Sequence, residues 1–429
     1  MKKVIIISYY ASPCSLTASL RIDSWLRHLN KFDIYPILIT RKWESKIQSL
    51  KDISSSTSKG TTYQKYEFGE TFHLQYKGNL KDKIYSKYGN SKYKLLRKSL
   101  SYIELFFSCF TINAIPYKNL YFQTKNLLKK HNDIDTIIIS GGPFYLFHFG
   151  YRLKRKFPHI NWIADYRDDW NTSELFIKSN NFLQNILNYL EKKSEIKWLS
   201  NSKGFTTISP YYVDKIKKLI NKPGNVIFNG FDKSLLKLDP KLEKDTFVIT
   251  YNGSLYKTQN LEDFIDVIKK VIIRFQNKIK LKIKFIGVGI DIIQKERLSL
   301  LIEGYQDFFL LTERIKRDEV IQIQLASDLL IMLSHVNQKG IPSSKIFEYV
   351  GLRKRFIVFP NDNDIIEKIA NESSLGIISA DKLSLFKQIS TEINNKISNP
   401  KISSHKKYIK SNVEQFCTVH QVERLSKLL

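Results

Sequence analysis

An α/β protein built of two doubly wound, Rossmann-like domains is what this 429-residue sequence predicts. Three observations carry that prediction. Short, nearly unbroken apolar runs alternate with amphipathic segments, the pattern of parallel strands covered by helices on both faces. The alternation runs in two series separated by a polar, lysine-rich stretch at 232–246. The chain is also long enough for two substantial cores.

The first series opens with VIIIS (4–8) and the helical pattern ASLRIDSWLRHLNKF, and PILIT (36–40) returns as a second strand. TIIIS (136–140), NWIAD (161–165), FTTIS (205–209) and NVIFN (225–229) continue it. After the linker, with its Pro240, come FVITYNG (247–253), LKIKFIGVG (281–289), FFLLTER (308–314), DLLIML (328–333) and FIVFP (356–360). The segment KIFEYVGLRK reads as a helix between the last two strands, with Ser343 or Ser344 as its N-cap. HQVERLSKLL closes the chain as an amphipathic helix. The expected domains are therefore 1–231 and 247–408, joined by the linker 232–246 and followed by a C-terminal helix in 409–429. Such a pair places a cleft at the carboxyl ends of both sheets.

Composition narrows the function classes. A net charge of +28 points to a polyanionic partner, although the abundance of Lys, Ile and Asn also fits an AT-rich genome. Cys14, Cys109 and Cys417 lie far apart with no CxxC, which suggests a reducing compartment and no structural zinc site. The N-terminal apolar run is strand-sized, too short for a signal peptide, and no run approaches a membrane span. The expected location is the cytoplasm.

Several loops at strand ends carry chemistry. Free N–H groups at the start of the helix after Ser343 and Ser344 form an anion site, and Lys345 adds a charge to it. Glu348, three residues on, shares the face of Lys345. A cation for phosphate and a carboxylate for a ribose diol suit a nucleotide-sugar pocket; an amphipathic helix with a chance ion pair explains the same residues. In the first series, Gly141 and Gly142 permit a tight turn, and His148 follows on an apolar face where a core histidine is the ordinary reading. Asp165, Arg167, Asp168 and Trp170 crowd one strand end, as a site does or as an internal Asp–Arg pair pinning a loop does. Arg21 lies one turn into the first helix.

Taken in order, these segments resemble family-4 glycosyltransferases of the GT-B fold, the type found in bacterial capsule and O-antigen clusters. SGGPFYLFHFGYRLKRKFPHINWIADYRDDW, FTTISPYYVDKIKK with VIFNGFD, ITYNGSLYKTQN and KIFEYVG carry the resemblance nearly end to end. It implies two Rossmann-like domains facing a cleft, with the C-terminal helix crossing back to the first. It implies transfer of a glycosyl group from a nucleotide diphosphate sugar to an acceptor hydroxyl with retention of configuration, without metal or cofactor. By resemblance His148 stands beside the anomeric carbon, with Asp165, Arg167 and Asp168 as further catalytic residues. Glu348 matches a ribose clamp, but Gly340 replaces the glutamate expected eight residues earlier. Ser254 and Gln259 stand where diphosphate-binding cations are common, which leaves Lys257 and Lys345 for that role. Gly253, Gly287, Gly289, Arg314 and Ile315 match loops that hold the nucleotide, Ser343 and Ser344 its phosphates. UDP and GDP stay open.

From Lys77 to Lys98 the chain has eight Lys/Arg against one acid, Asp82, interleaved with tyrosines and followed by the apolar SLSYIELFFSCF. That pattern suits docking on an anionic leaflet and also a solvated helix face. The expected partners are a nucleotide-sugar donor, a lipid-linked or oligosaccharide acceptor and the inner face of the plasma membrane. A nucleic-acid-binding protein is the competing class, but no RNA- or DNA-binding motif accompanies the basic residues. A nucleotide-sugar epimerase on the same fold is a third reading.

Overall fold

The computed structural model describes residues 1–14, 16–44, 53–89, 92–172, 182–239, 242–399 and 412–429. Pro240 of the expected linker and part of the stretch preceding the C-terminal helix lie outside the described residues. The chain divides into two compact units, one of residues 1–229 with 421–429 and one of residues 230–420.

The first unit is built on a sheet of eight strands. They are β1 (Lys2–Ser8), β2 (Ile34–Arg41), β3 (Thr62–Tyr66), β4 (Gly69–Leu74), β5 (Ile134–Ser140), β6 (Asn161–Tyr166), β7 (Gly204–Thr207) and β8 (Gly224–Val226). Their order is β3-β4-β2-β1-β5-β6-β7-β8, parallel except for the β3–β4 hairpin at the edge. The chain reverses its direction of travel between β1 and β5, the switch point of a doubly wound sheet. Apolar runs bury on both faces: Val4 and Ile6 of β1 pack with Ile22 and Trp25 of the helix Thr17–His28, and with Val422 and Leu425 of the helix Thr418–Ser426. The boundary between the units falls inside that last helix, and its C-terminal part completes the core of the first.

The second unit has β9 (Thr246–Asn252), β10 (Lys280–Ile286), β11 (Phe309–Leu311), β12 (Leu329–Leu333), β13 (Phe356–Phe359) and β14 (Gly376–Ile378). All are parallel, in the order β11-β10-β9-β12-β13-β14, again with a switch point beside the first strand. The helix Leu261–Phe275 turns Phe264, Ile268, Val271 and Phe275 into this core. Residues 233–237, expected in the linker, form a 3-10 helix of this unit capped by Asp232, whose carboxylate accepts from Ser234 N at 2.9 Å. Among the described residues no helix is long and apolar enough to cross a membrane.

Candidate active site

The loops at the carboxyl ends of β9 and β10 bring two of the expected glycines together. Gly253 follows β9 with φ +95° and its N–H donates to Ile286 O at 2.7 Å. Gly287 follows β10 with φ +82°, its N–H shared between Thr312 O (3.2 Å) and Thr312 Oγ1 (3.1 Å). Both lie in the left-handed region that favours glycine. A Cβ on Gly253 would stand only 2.6 Å from Lys345 Cε and 3.0 Å from its Nζ, so this glycine also makes room for the cation.

Lys345 comes from the helix Ser344–Gly351, which starts at the same edge of the sheet. Ser343 is its N-cap by position, but its hydroxyl makes no capping hydrogen bond. Ile346 N donates back to Ser343 O at 3.1 Å, and the N–H groups ahead of it, at the first two helical positions, are the ones left to bind an anion. The Lys345 ammonium donates to Tyr251 Oη at 2.9 Å and lies 4.3 Å from the centre of that ring. Burial lowers its pKa to about 8, against the opposing pull of Tyr256 and Glu348. Half-buried, and without an ion pair among the described residues, the ammonium is poised for an anionic ligand.

Glu348 does not pair with Lys345. Its carboxylate meets Arg317 at 3.0 Å and accepts from Gln324 Nε2 at 3.4 Å, both from the helix Arg317–Leu325. Gly289 sits against the Glu313 carboxylate, which a Cβ there would strike, and Glu313 pairs with Lys295 at 2.7 Å. Arg314 and Lys257 are exposed, Ile315, Ser343 and Ser344 half-buried. Gln259, standing where a cation is common, is buried and closes the loop: its amide donates to Leu333 O at 2.8 Å and accepts from Tyr256 N at 3.0 Å.

Three neighbours of this site escaped the sequence reading: Tyr251, Arg317 and His335. His335 follows β12, its Nδ1 2.6 Å from Thr258 Oγ1 and its ring 5.2 Å from that of Tyr256. Burial lowers its pKa, and the Lys345 charge lowers it further, which marks it as a neighbour of the ammonium. The legible signal for His335 was the polar pair Ser334–His335 following an apolar strand.

In the first unit, two expected catalytic residues have structural places. Asp165 is fully buried at the end of β6, and its carboxylate is saturated by Arg21 (2.7 Å), Ser140 (2.9 Å) and Thr206 (2.7 Å). Arg21, itself buried, also donates to Ile227 O at 2.8 Å. This ion pair ties the first helix and β5 to β7 together, which gives Asp165 a structural place. His148, expected beside the anomeric carbon, is 2% exposed and stacks on Trp198 at 4.6 Å. Its Nδ1 lies 3.2 Å from Ser108 O, and Arg152 Nε donates to its Nε2 at 3.3 Å. Both ring nitrogens are engaged, and burial lowers its pKa to about 4, so the buried ring is neutral near pH 7. Arg167 and Asp168 pair with each other at 3.0 Å and remain partly exposed beside Gly142, where a Cβ would stand 3.1 Å from Arg167 Nη2.

Two Rossmann-like units of this topology make the GT-B fold. Among solved structures, the chain is similar to sucrose-phosphate synthase from Thermosynechococcus elongatus, at 12% identity and TM-score 0.64 over 100% of this chain and 98% of that one. It is similar to a glycosyltransferase from Rickettsia africae, at 11% identity and TM-score 0.61 over 100% and 97%. It is also similar to Anabaena HepE in complex with UDP, at 11% identity and TM-score 0.57 over 100% and 99%. No family model and no curated relative matches the sequence. Likeness at this identity establishes the fold.

Proposed function

We propose that this protein is a glycosyltransferase that binds a nucleotide diphosphate sugar at the carboxyl edge of the second sheet. The observation that carries the reading is the half-buried Lys345 ammonium, set against Gly253 at the open start of a helix. In glycosyl transfer the diphosphate gains charge as the sugar leaves, and preorganised donors at that position stabilise it. Lys345 and the N–H groups after Ser343 supply them, with Lys257 on the neighbouring loop, and no cofactor or metal is required. Gly287, Gly289, Arg314 and Ile315 hold the base, and Glu348, released by or shared with Arg317, takes the ribose. UDP is the favoured nucleotide, since HepE is solved with UDP and UDP-glucose and an E. coli trehalose-6-phosphate enzyme with UDP-2-fluoro glucose.

Arg167, half-buried, and Asp168, exposed, follow β6 directly and serve the acceptor side. The resemblance to capsule and O-antigen enzymes supports retention of configuration and a lipid-linked acceptor for surface polysaccharide. The basic stretch 77–98 supports a peripheral position on the inner face of the plasma membrane. The test is calorimetry with UDP, UDP-glucose and GDP-mannose, followed by transfer of labelled sugar into a membrane lipid extract with and without EDTA. Binding of one donor and EDTA-resistant label in the lipid phase is expected. Absence of binding by any of the three overturns the donor site.

A further inference from the structure

The helix Lys94–Phe110 is inside out. Its outward stripe is Leu95, Leu96, Ile103, Phe106, Phe107 and Phe110, exposed from 41% at Phe106 to 82% at Leu95, while Ser108 and Cys109 face the protein. The positions 96, 103, 106 and 110, flanked by 95 and 107, keep one face along about 21 Å of helix. The helix Phe182–Leu199 packs against it and continues the pattern with exposed Phe182, Leu183, Ile186 and Tyr189. A contiguous apolar surface of this kind on a folded unit marks an interaction site.

The charges say what covers it. Every acid of these two helices and of the neighbouring helix Leu80–Tyr88 is turned away from solvent. Asp82 caps its own helix and accepts from Tyr76, Glu104 holds Lys81 and Asn79, Glu191 accepts from Tyr145 at 2.7 Å, and Glu195 from Tyr166 at 2.6 Å. Lys83, Lys87, Lys94, Lys98, Lys193 and Lys197 of the same three helices are exposed, and Lys193 and Lys197 share by helical spacing the face of Phe182, Ile186 and Tyr189. Phenylalanines on helices whose exposed charges, among the described residues, are all cations match a bilayer with anionic headgroups, where aromatic and aliphatic side chains enter the acyl boundary and cations stay at the phosphates. We propose that these two helices lie in the plane of an anionic membrane with the Phe106–Phe107–Phe110 face inserted below the headgroups. The proposal deepens the peripheral membrane reading above: it predicts hydrocarbon insertion, where the basic stretch predicts only electrostatic attraction.

The experiment is flotation of the full chain with phosphatidylglycerol–phosphatidylcholine vesicles at low salt and at about 1 M salt, where the Debye length is about 3 Å and attraction by exposed charges is screened. The wild type should bind tightly at low salt and retain measurable binding at high salt. Phe106→Ser/Phe107→Ser/Phe110→Ser should lose the salt-resistant part, about tenfold or more in affinity, while circular dichroism shows the fold retained, because these side chains are 41–55% exposed. Cys14, Cys109 and Cys417 are buried, so a Phe107→Cys variant takes an environment-sensitive dye selectively, and its emission should shift to the blue on vesicles. Binding that salt abolishes completely, with no dye shift, overturns the insertion. So does a wild-type dimer that the triple variant makes monomeric without changing vesicle binding, since the face would then join two copies of the chain. None of these readouts uses a nucleotide sugar, so their failure leaves the donor-site reading standing and is distinguishable from its failure.

Discussion

At Lys345 two forces act on one proton: burial draws the ammonium's pKa down to about 8, and a bound diphosphate would draw it up again. If the pKa rises on binding, the complex holds more protons than the free protein above pH 8. Nucleotide affinity is then complete below about pH 7 and falls as pH rises, by about tenfold between pH 7 and pH 9. Calorimetry with UDP across that range should show the decline, and Lys345→Gln should bind weakly with no such slope. A wild-type affinity flat to pH 9 would remove Lys345 from the phosphate site. For His148 the two environments proposed for it give opposite outcomes. Its core place predicts that His148→Ala costs roughly 2–4 kcal/mol of stability, through the lost Trp198 stack and the bonds to Ser108 and Arg152, while specific activity of the folded protein stays near normal. A hundredfold loss of turnover at unchanged melting temperature would restore it to the reaction centre. The sequence made Lys345 and Gly253 legible because helix starts and glycines after strands have local signatures. It could not show that Asp165 is consumed by Arg21, since that contact spans 144 positions.

Elements were legible in proportion to their burial. Strands such as β1, β5 and β9 bury on both faces and read as apolar runs. The β3–β4 hairpin and β14 were missed: β3 is TYQKY with every residue exposed, and β14 is three half-buried residues. Backbone pairing at a sheet edge makes those strands, and side-chain patterning says little there. The helix Phe182–Leu199 has a feature that no periodicity reveals. Burial raises Glu195 to about 7, while Tyr166 and Asn171 hydrogen bonds pull it down, the latter at 2.7 Å. A carboxyl whose pKa is higher in the folded than the unfolded state favours folding most when protonated. Stability should therefore decline as pH rises from about 4.5 to 7, and stay low above. Glu195→Gln should flatten that decline and stabilise the first unit at pH 8 by on the order of 1–2 kcal/mol. Chemical denaturation at pH 5 and pH 8 measures both slopes, and an unchanged pH dependence in the variant would assign it elsewhere.

At the scale of the molecule, the alternation of strands and helices foretold both sheets, while the division of the chain between units is set by tertiary packing. Residues 421–429 belong with the first unit although nearly two hundred residues of the second precede them. They bury Val422, Leu425 and Leu429 in the core formed by Val4, Ile6, Trp25 and Leu29. Gln421 Oε1 accepts from Phe228 N at 2.9 Å, and Leu429 O accepts from Lys2 Nζ at 2.8 Å. Removing three buried apolar side chains forfeits about 5 kcal/mol of burial, a large share of the ~5–15 kcal/mol that holds an ordinary domain folded. The second unit has a separate core around Phe264, Phe285 and Ile331. Deleting 421–429 should therefore strip hydrogen-exchange protection from β1, β2 and β5 while amides of β9, β10 and β12 keep theirs. UDP binding at Lys345 should survive the deletion. Equal loss of protection in both sheets would mean that the two units fold as one cooperative body, and no loss in either would mean that the segment contributes little to the first core.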